Sequence, residues 1–311
     1  MDSRINILKT DLHVSPLCLG GNVFGWSADE VTSKTILSNF FANDGNFIDT
    51  ADFYSEWKSG NTGGDSETII GNWLKENGNR DQMVIATKVA KYSKRPGLNA
   101  PNIKLAVEDS LRRLQTDYID IYYAHEDDNK TPLYESLGAL NELVVSGKVR
   151  YIAASNYSGA RLTEALVASA TNGLASYVAI QNEYNILARE RFEIDIAPVV
   201  ESEGISAIPY YGLAKGFLSG KYRPGIAVDS VRAEGVKGFQ NERGWKVLAI
   251  LDEIAKAQRV SLPAVALAWL RGQESVSVPI ASARTLEQLN ELMQFVLLSP
   301  EEMSLINAAS A

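Results

Sequence analysis

Short runs of β-favouring apolar residues alternate with helical apolar stripes along almost the whole 311-residue chain, and this rhythm constrains the fold more than any other feature. The runs fall at residues 17–21, 46–49, 83–87, 118–124, 149–155, 177–180, 205–209 and 275–279. Strings such as Val84-Ile85-Ala86 and Tyr151-Ile152-Ala153-Ala154 are apolar on both faces, as parallel strands covered on each side must be. Helix punctuation separates them. Ser27 and Glu30 read as a capping box ahead of the stripe Ile36, Leu37, Phe40 and Phe41, and Gly45 can end that helix. Ile69, Ile70, Trp73 and Leu74 repeat the spacing before Gly78. Pro101 opens a third helix through Ile103, Val107, Leu111 and Leu114, and Thr131-Pro132 opens a fourth that Gly147 closes. Strands alternating with helices at roughly thirty to forty residues predict an α/β fold, a (β/α)8 TIM barrel forming one domain over residues 1–311.

Two segments depart from the rhythm. Ile5-Asn6-Ile7-Leu8 and Leu12-His13-Val14 read as an N-terminal hairpin that plugs the barrel bottom. Beyond the seventh strand, a long excursion from Tyr211 to Trp245 is rich in glycine (Gly212, Gly216, Gly220, Gly225, Gly235, Gly238, Gly244), and long βα loops of this kind usually serve function.

Composition narrows the function. With 30 Lys and Arg against 38 Asp and Glu the net charge is −8, which argues against a nucleic-acid surface. Only His13 and His125 are available as imidazole ligands, too few for a metallohydrolase barrel, so no metal is expected. Cys18 stands alone and excludes an internal disulfide, no apolar run approaches the ~18 residues of a membrane span, and the first residues do not read as a signal. The expectation is a soluble cytoplasmic enzyme. Gly216-Phe217-Leu218-Ser219-Gly220-Lys221-Tyr222 is one residue short of a P-loop and ends in Tyr, which rejects triphosphate binding.

In such a barrel the active site lies where the strands end in βα loops. Those ends read Gly21 with Asn22, Asp49 with Tyr54, Lys88, His125, Ser155 with Asn156, Gln181 with Asn182, Tyr210, and Ser282 with Arg284. Each has an ordinary structural use when taken alone: an Asp caps a helix, a Tyr anchors a loop. A lysine after a buried strand is harder to dismiss, because its charge needs a carboxylate or water. Four such groups on neighbouring strands form a coherent set. A phenol titrates near ~10, an adjacent ammonium stabilises its phenolate, Asp49 can orient Lys88, and His125 can donate to a carbonyl oxygen beside Tyr54. The set lacks only a hydride source.

Seven strings in order resemble the aldo-keto reductase superfamily, closest to its bacterial general-purpose branch. They are Phe47-Ile48-Asp49-Thr50-Ala51-Asp52-Phe53-Tyr54, Ile85-Ala86-Thr87-Lys88, Ile119 to His125, Ala154-Ser155-Asn156-Tyr157, Gln181 to Asn185, Gly216 to Tyr222, and Ile280 to Arg284. The resemblance implies carbonyl reduction with NADPH, NADH being possible, and a cofactor bound without a Rossmann domain, in keeping with the lack of a G-x-G-x-x-G after a strand. It implies Asp49, Tyr54, Lys88 and His125 as catalytic residues. It assigns Ser155, Asn156 and Gln181 to the nicotinamide carboxamide, Tyr210 to its ring, and backbone near Gly21 and Asn22 to the cofactor. Leu213, Gly216, Leu218 and Lys221 would form the pyrophosphate strap, with Ser282, Arg284 and Gln288 at the adenosine end. Thr285 stands where the family often has a second basic residue. Glu126-Asp127-Asp128 follows His125 in place of a Pro-Asp pair, and Tyr211-Gly212 replaces a Ser-Pro.

Trp26, Trp57, Tyr92 and Tyr157 are candidates for the wall of a pocket for a small-molecule carbonyl substrate, with packing of long loops as their equal alternative, and the acidic run reads first as a solvated loop and second as a repeller of anions. Two other readings stay open. The barrel is an NADPH-binding regulatory subunit with little turnover, or Lys88 forms Schiff bases, which a neighbouring Asp49 opposes by keeping the amine protonated.

Overall fold

The structure, a computed structural model, describes residues 4–230 and 232–311. An antiparallel hairpin of β1 (Ile5–Asn6) and β2 (His13–Val14) precedes the regular alternation. It continues as β3 (Cys18–Gly20), α1 (Glu30–Ala42), β4 (Phe47–Asp49), α2 (Asp65–Asn77), β5 (Val84–Val89), α3 (Ala100–Leu114), β6 (Ile119–Ala124) and α4 (Leu133–Val145). Then come β7 (Val149–Ser155), α5 (Gly159–Asn172), β8 (Tyr177–Gln181), α6 (Ala197–Glu203), β9 (Ser206–Ala207), α7 (Glu242–Gln258), α8 (Leu262–Arg271), β10 (Ile280–Ala281), α9 (Leu286–Leu292) and α10 (Pro300–Ser310).

Eight parallel strands pair in the order β10, β3, β4, β5, β6, β7, β8, β9, which is chain order with the last strand brought beside the first. The seam closes through a parallel bridge between Ala207 and Val276 and through backbone hydrogen bonds from Ser277 to Ala207 (2.9 Å) and Ile280 to Pro209 (2.9 Å). The chain is therefore a (β/α)8 barrel. The eighth strand is displaced from its expected place: residues 275–279 hold the seam to β9, while Ile280 and Ala281 pair with Cys18 and Leu19. Val276, Val278 and Ile280 are all buried, so the alternation covers one continuous segment whose two halves serve different neighbours.

The hairpin closes the bottom as expected. Ile7, Leu12 and Val14 join Cys18, Phe47, Val84, Ala86, Ile121 and Tyr123 in the apolar filling of the barrel, apart from the larger layer between strands and helices. Helix punctuation holds with two corrections, both in α1. The α1 N-cap is Asp29, whose carboxylate accepts from Thr32 N (2.8 Å), and the expected Ser27 capping box does not form. At the other end α1 stops at Ala42, and the chain turns through Asp44 at φ 62°. Gly78 ends α2 in the left-handed conformation, where the missing Cβ removes the strain. No helix among the described residues is long and apolar enough to cross a membrane.

Candidate active site

Strand register puts the polar groups together. Side chains alternate along a strand, so Phe47 and Asp49 point into the barrel while Ile48 packs under the helices. Asp49 pairs with Ala86 in the ladder, and the next inward residue of β5 is Lys88, which pairs with Tyr123. Aspartate and lysine therefore meet at the top of the barrel. Lys88 is fully buried, and its Nζ donates to Asp49 Oδ2 (2.6 Å), Thr50 O (2.7 Å) and Tyr54 Oη (3.0 Å). Gln181 Nε2 donates to the other carboxylate oxygen of Asp49 (2.9 Å), so that both of its oxygens are held.

Asp49, Tyr54 and Gln181 line the floor of a cleft of about 910 Å³, with Lys88 buried beneath them. The His125 ring lies 6.0 Å from that of Tyr54 and 5.2 Å from that of Phe53, centroid to centroid. Its Nδ1 is buried with no hydrogen-bond partner. Burial first, then the ammoniums of Lys88 and Lys91, hold this imidazole well below its ordinary pKa, so it is neutral and has a single N–H to give.

The electrostatics of Tyr54 differ from the expectation that Lys88 would lower the phenol. Burial pushes it well above its ordinary value, and the charge of Asp49 pushes in the same direction. Burial also pulls Lys88 below the usual lysine value, against the pull of Asp49. Burial and the Asp49 charge act together, so Tyr54 is the neutral acid.

Asn156 organises one wall. It sits at φ 60°, a left-handed position that Asn tolerates better than most residues. Its Nδ2 donates to His125 O (2.9 Å) and Ser155 Oγ (3.0 Å), and its Oδ1 accepts from Tyr210 Oη (2.8 Å). Ser155 Oγ in turn donates to Gln181 O (2.8 Å). The three expected carboxamide residues thus stand together with Tyr210 on the cleft, already bonded to one another. The opposite wall brings Ser282 Oγ to Asn22 Oδ1 (2.6 Å).

Most of the other expected residues also line the cleft: Trp26, Trp57, Leu213, Gly216, Lys221, Arg284 and Gln288. Four do not. Gly21 turns its back on the cleft and lies against Ser66 of α2, whereas Gly20 faces it; a Cβ there would stand 2.5 Å from Ser282 Oγ. Leu218 is fully buried in the strand–helix layer. Tyr157, which follows the left-handed Asn156, is turned under the loop, its ring 5.8 Å from that of Tyr177. Tyr92 packs on the Gly63 turn.

The cleft also contains groups that the sequence reading did not single out. Phe53 joins Tyr54 and Trp57, and Lys91, Tyr211, Lys215, Ser230 and Arg232 complete the rim. Arg232 enters from the irregular segment before α7, where no periodicity marks it. Lys221, Arg232 and Arg284 converge at one end. Burial lowers Lys221 and Arg232 from their ordinary values, and the nearby Arg284 guanidinium lowers both further. The Glu126-Asp127-Asp128 run is occupied: Glu126 pairs with Lys91 (3.1 Å), Asp127 with Arg161 (2.8 Å), and Asp128 accepts from Leu98 N (2.7 Å) and Thr131 Oγ1 (2.7 Å). The expected repulsion of anions has no free carboxylate behind it here.

The aldo/keto reductase family profile matches residues 16–311. The chain belongs to that family. Among its relatives, norsolorinic acid reductase of Aspergillus flavus is 32% identical over 98% of this chain and 80% of its own length. The oxidoreductase YrpG of Bacillus subtilis is 33% identical (94% and 90%), and protein tas of Escherichia coli is 33% identical (91% and 90%). An oxidoreductase role follows for this aldo/keto reductase, from a family that generally binds NAD(P)H.

One buried acid near the site has a measurable signature. Asp52, two residues before Tyr54, is pushed up to about 8, by burial first and then by the charge of Glu67. In an unfolded chain an aspartate titrates near about 4. The folded state therefore holds this proton more tightly, so the stability Asp52 contributes is complete at low pH and is lost as pH rises through its folded value. Thermal midpoints are expected to fall less between about pH 6 and pH 9 in Asp52→Asn than in the wild type. Parallel curves for the two proteins would refute this assignment.

Proposed function

We propose that this oxidoreductase reduces aldehydes or ketones to alcohols at the floor of the cleft, with NADPH as its cofactor. One observation carries the reading: a fully buried Lys88 bridges Asp49 and the Tyr54 hydroxyl where a 910 Å³ cleft meets the barrel top. The cleft suits a dinucleotide. Lys221, Arg232 and Arg284 gather cationic groups that repel one another, an arrangement that a phosphate relieves. Lys221 and Arg284 would hold the phosphates together with Arg232, Tyr210 would lie against the nicotinamide, and Gly20 leaves room for close approach.

When bound, the reduced nicotinamide supplies the hydride. The protein's own groups manage the proton and the oxygen. Neutral His125 and neutral Tyr54 donate hydrogen bonds to the carbonyl oxygen, stabilising the negative charge that grows there. Tyr54 then passes its proton to that oxygen. The phenolate left behind is 3.0 Å from the Lys88 ammonium, which stabilises it more than it stabilises the phenol. Asp49, itself held by Gln181, keeps the lysine charged and aimed at Tyr54.

Titration of tryptophan fluorescence tests the cofactor assignment. NADPH is expected to bind more tightly than NADH, and in Arg284→Ala the ratio of the two affinities is expected to fall about tenfold or more, the worth of a charge-assisted bond to phosphate. Equal affinities in the wild type would remove the NADPH preference, and tighter NADH would reverse it. Binding of neither would end the reductase reading.

A further inference from the structure

The carbonyl end of the cleft holds one cation beyond those that the chemistry needs. Lys91 stands three residues after Lys88, lines the cleft with Trp57 and His125, and is one of the two ammoniums that depress the imidazole. Its partner is Glu126 at 3.1 Å, and the two side chains are 35% and 45% exposed. Exposed pairs of this kind exchange partners at little cost. The other acids nearby are not free to compete. Asp127 is held by Arg161, Asp128 by Leu98 N and Thr131 Oγ1, and Asp49 by Lys88 and Gln181.

The walls beside Lys91 are aromatic. Trp26 and Trp57 meet edge to face at 5.6 Å and 88°, and Phe53 meets Trp57 at 5.5 Å. Such a corner offers ring faces and edges to a flat molecule. Trp57 is 45% exposed, so the corner stays open to solvent and a charge interaction at its edge is partly screened.

We propose that the favoured substrates are planar aromatic aldehydes or ketones carrying a carboxylate, which Lys91 takes over from Glu126 as the carbonyl oxygen reaches Tyr54 and His125. The inference rests on the carbonyl-reduction reading above. Lys91 is then a specificity-determining residue, and Glu126 is the group that the substrate displaces.

The test compares 4-formylbenzoate with methyl 4-formylbenzoate, following NADPH oxidation by the wild type and by Lys91→Met, Lys91→Arg and Glu126→Gln. The readout is the ratio of kcat/KM, acid over ester. In the wild type the acid is expected to lead by about tenfold, the size of one partly screened charge pair. Lys91→Met removes that lead, Lys91→Arg keeps it, and Glu126→Gln enlarges it by freeing the ammonium. A wild-type ratio near unity that Lys91→Met leaves unchanged overturns the substrate class while the ester still reports a working reductase. Failure to reduce either aldehyde overturns the reductase reading, and this proposal with it.

Discussion

Replacing Tyr54 with phenylalanine is expected to cut kcat for carbonyl reduction by about 10²–10⁴-fold, the usual worth of a positioned proton donor, while cofactor affinity changes little. The substitution removes one hydroxyl and leaves the ring against Phe53, Trp57 and His125. Lys88 keeps Asp49 Oδ2 and Thr50 O as acceptors, so no buried charge is stranded and the fold is not the casualty. Initial rates measured beside a fluorescence titration separate the two effects. A variant that binds NADPH normally but has lost turnover supports Tyr54 as the acid. A variant that still turns over near the wild-type rate would falsify that role and leave His125 as the remaining donor on the cleft.

The barrel and its polar floor were legible in the chain because continuous apolar runs mark parallel strands and the polar residues fall where those runs end. Asp49 and Lys88 close two neighbouring runs, Phe47-Ile48 and Val84 to Thr87. Where the backbone stops alternating, the reading weakened. Asn156 takes a left-handed turn, and the next side chain, Tyr157, goes under the loop instead of into the cleft. Leu218 lies in the irregular turn Ala214–Ser219, where Lys215 and Gly216 both have positive φ, so its burial could not be read from spacing. Arg232 arrives at the cation cluster only through the path of a long loop. The eighth strand was placed at residues 275–279, whereas Ile280 and Ala281 make the pairing with β3, because an apolar run reports which residues are buried and not which neighbour they pair with.

The same distinction covers the electrostatics. The residue types in the floor were readable, but the direction in which Tyr54 shifts was not. Burial is the largest cause and the Asp49 carboxylate adds to it, and the extent of burial is set only by the folded chain. Lys88 favours the phenolate over the phenol, but burial outweighs that pull in the resting site, so Tyr54 starts protonated and the lysine acts when the proton leaves.

If so, the buried pair is a cost to the fold that the reaction requires, and the two can be separated by experiment. Lys88→Met strands the Asp49 carboxylate at 2% exposure with Gln181 as its remaining side-chain donor, and breaking a buried pair in this way is expected to cost about 3–5 kcal/mol. The double variant Lys88→Met, Asp49→Asn removes both charges and keeps an acceptor for Gln181, so most of that loss should return, as measured by chemical denaturation. Activity should not return, because a neutral methionine cannot stabilise a phenolate. Recovery of stability without activity assigns the pair to chemistry. Recovery of both would mean that Tyr54 gives up its proton without help from the lysine, and failure to recover either would mean that Lys88 holds the barrel top together through its bond to Thr50 O.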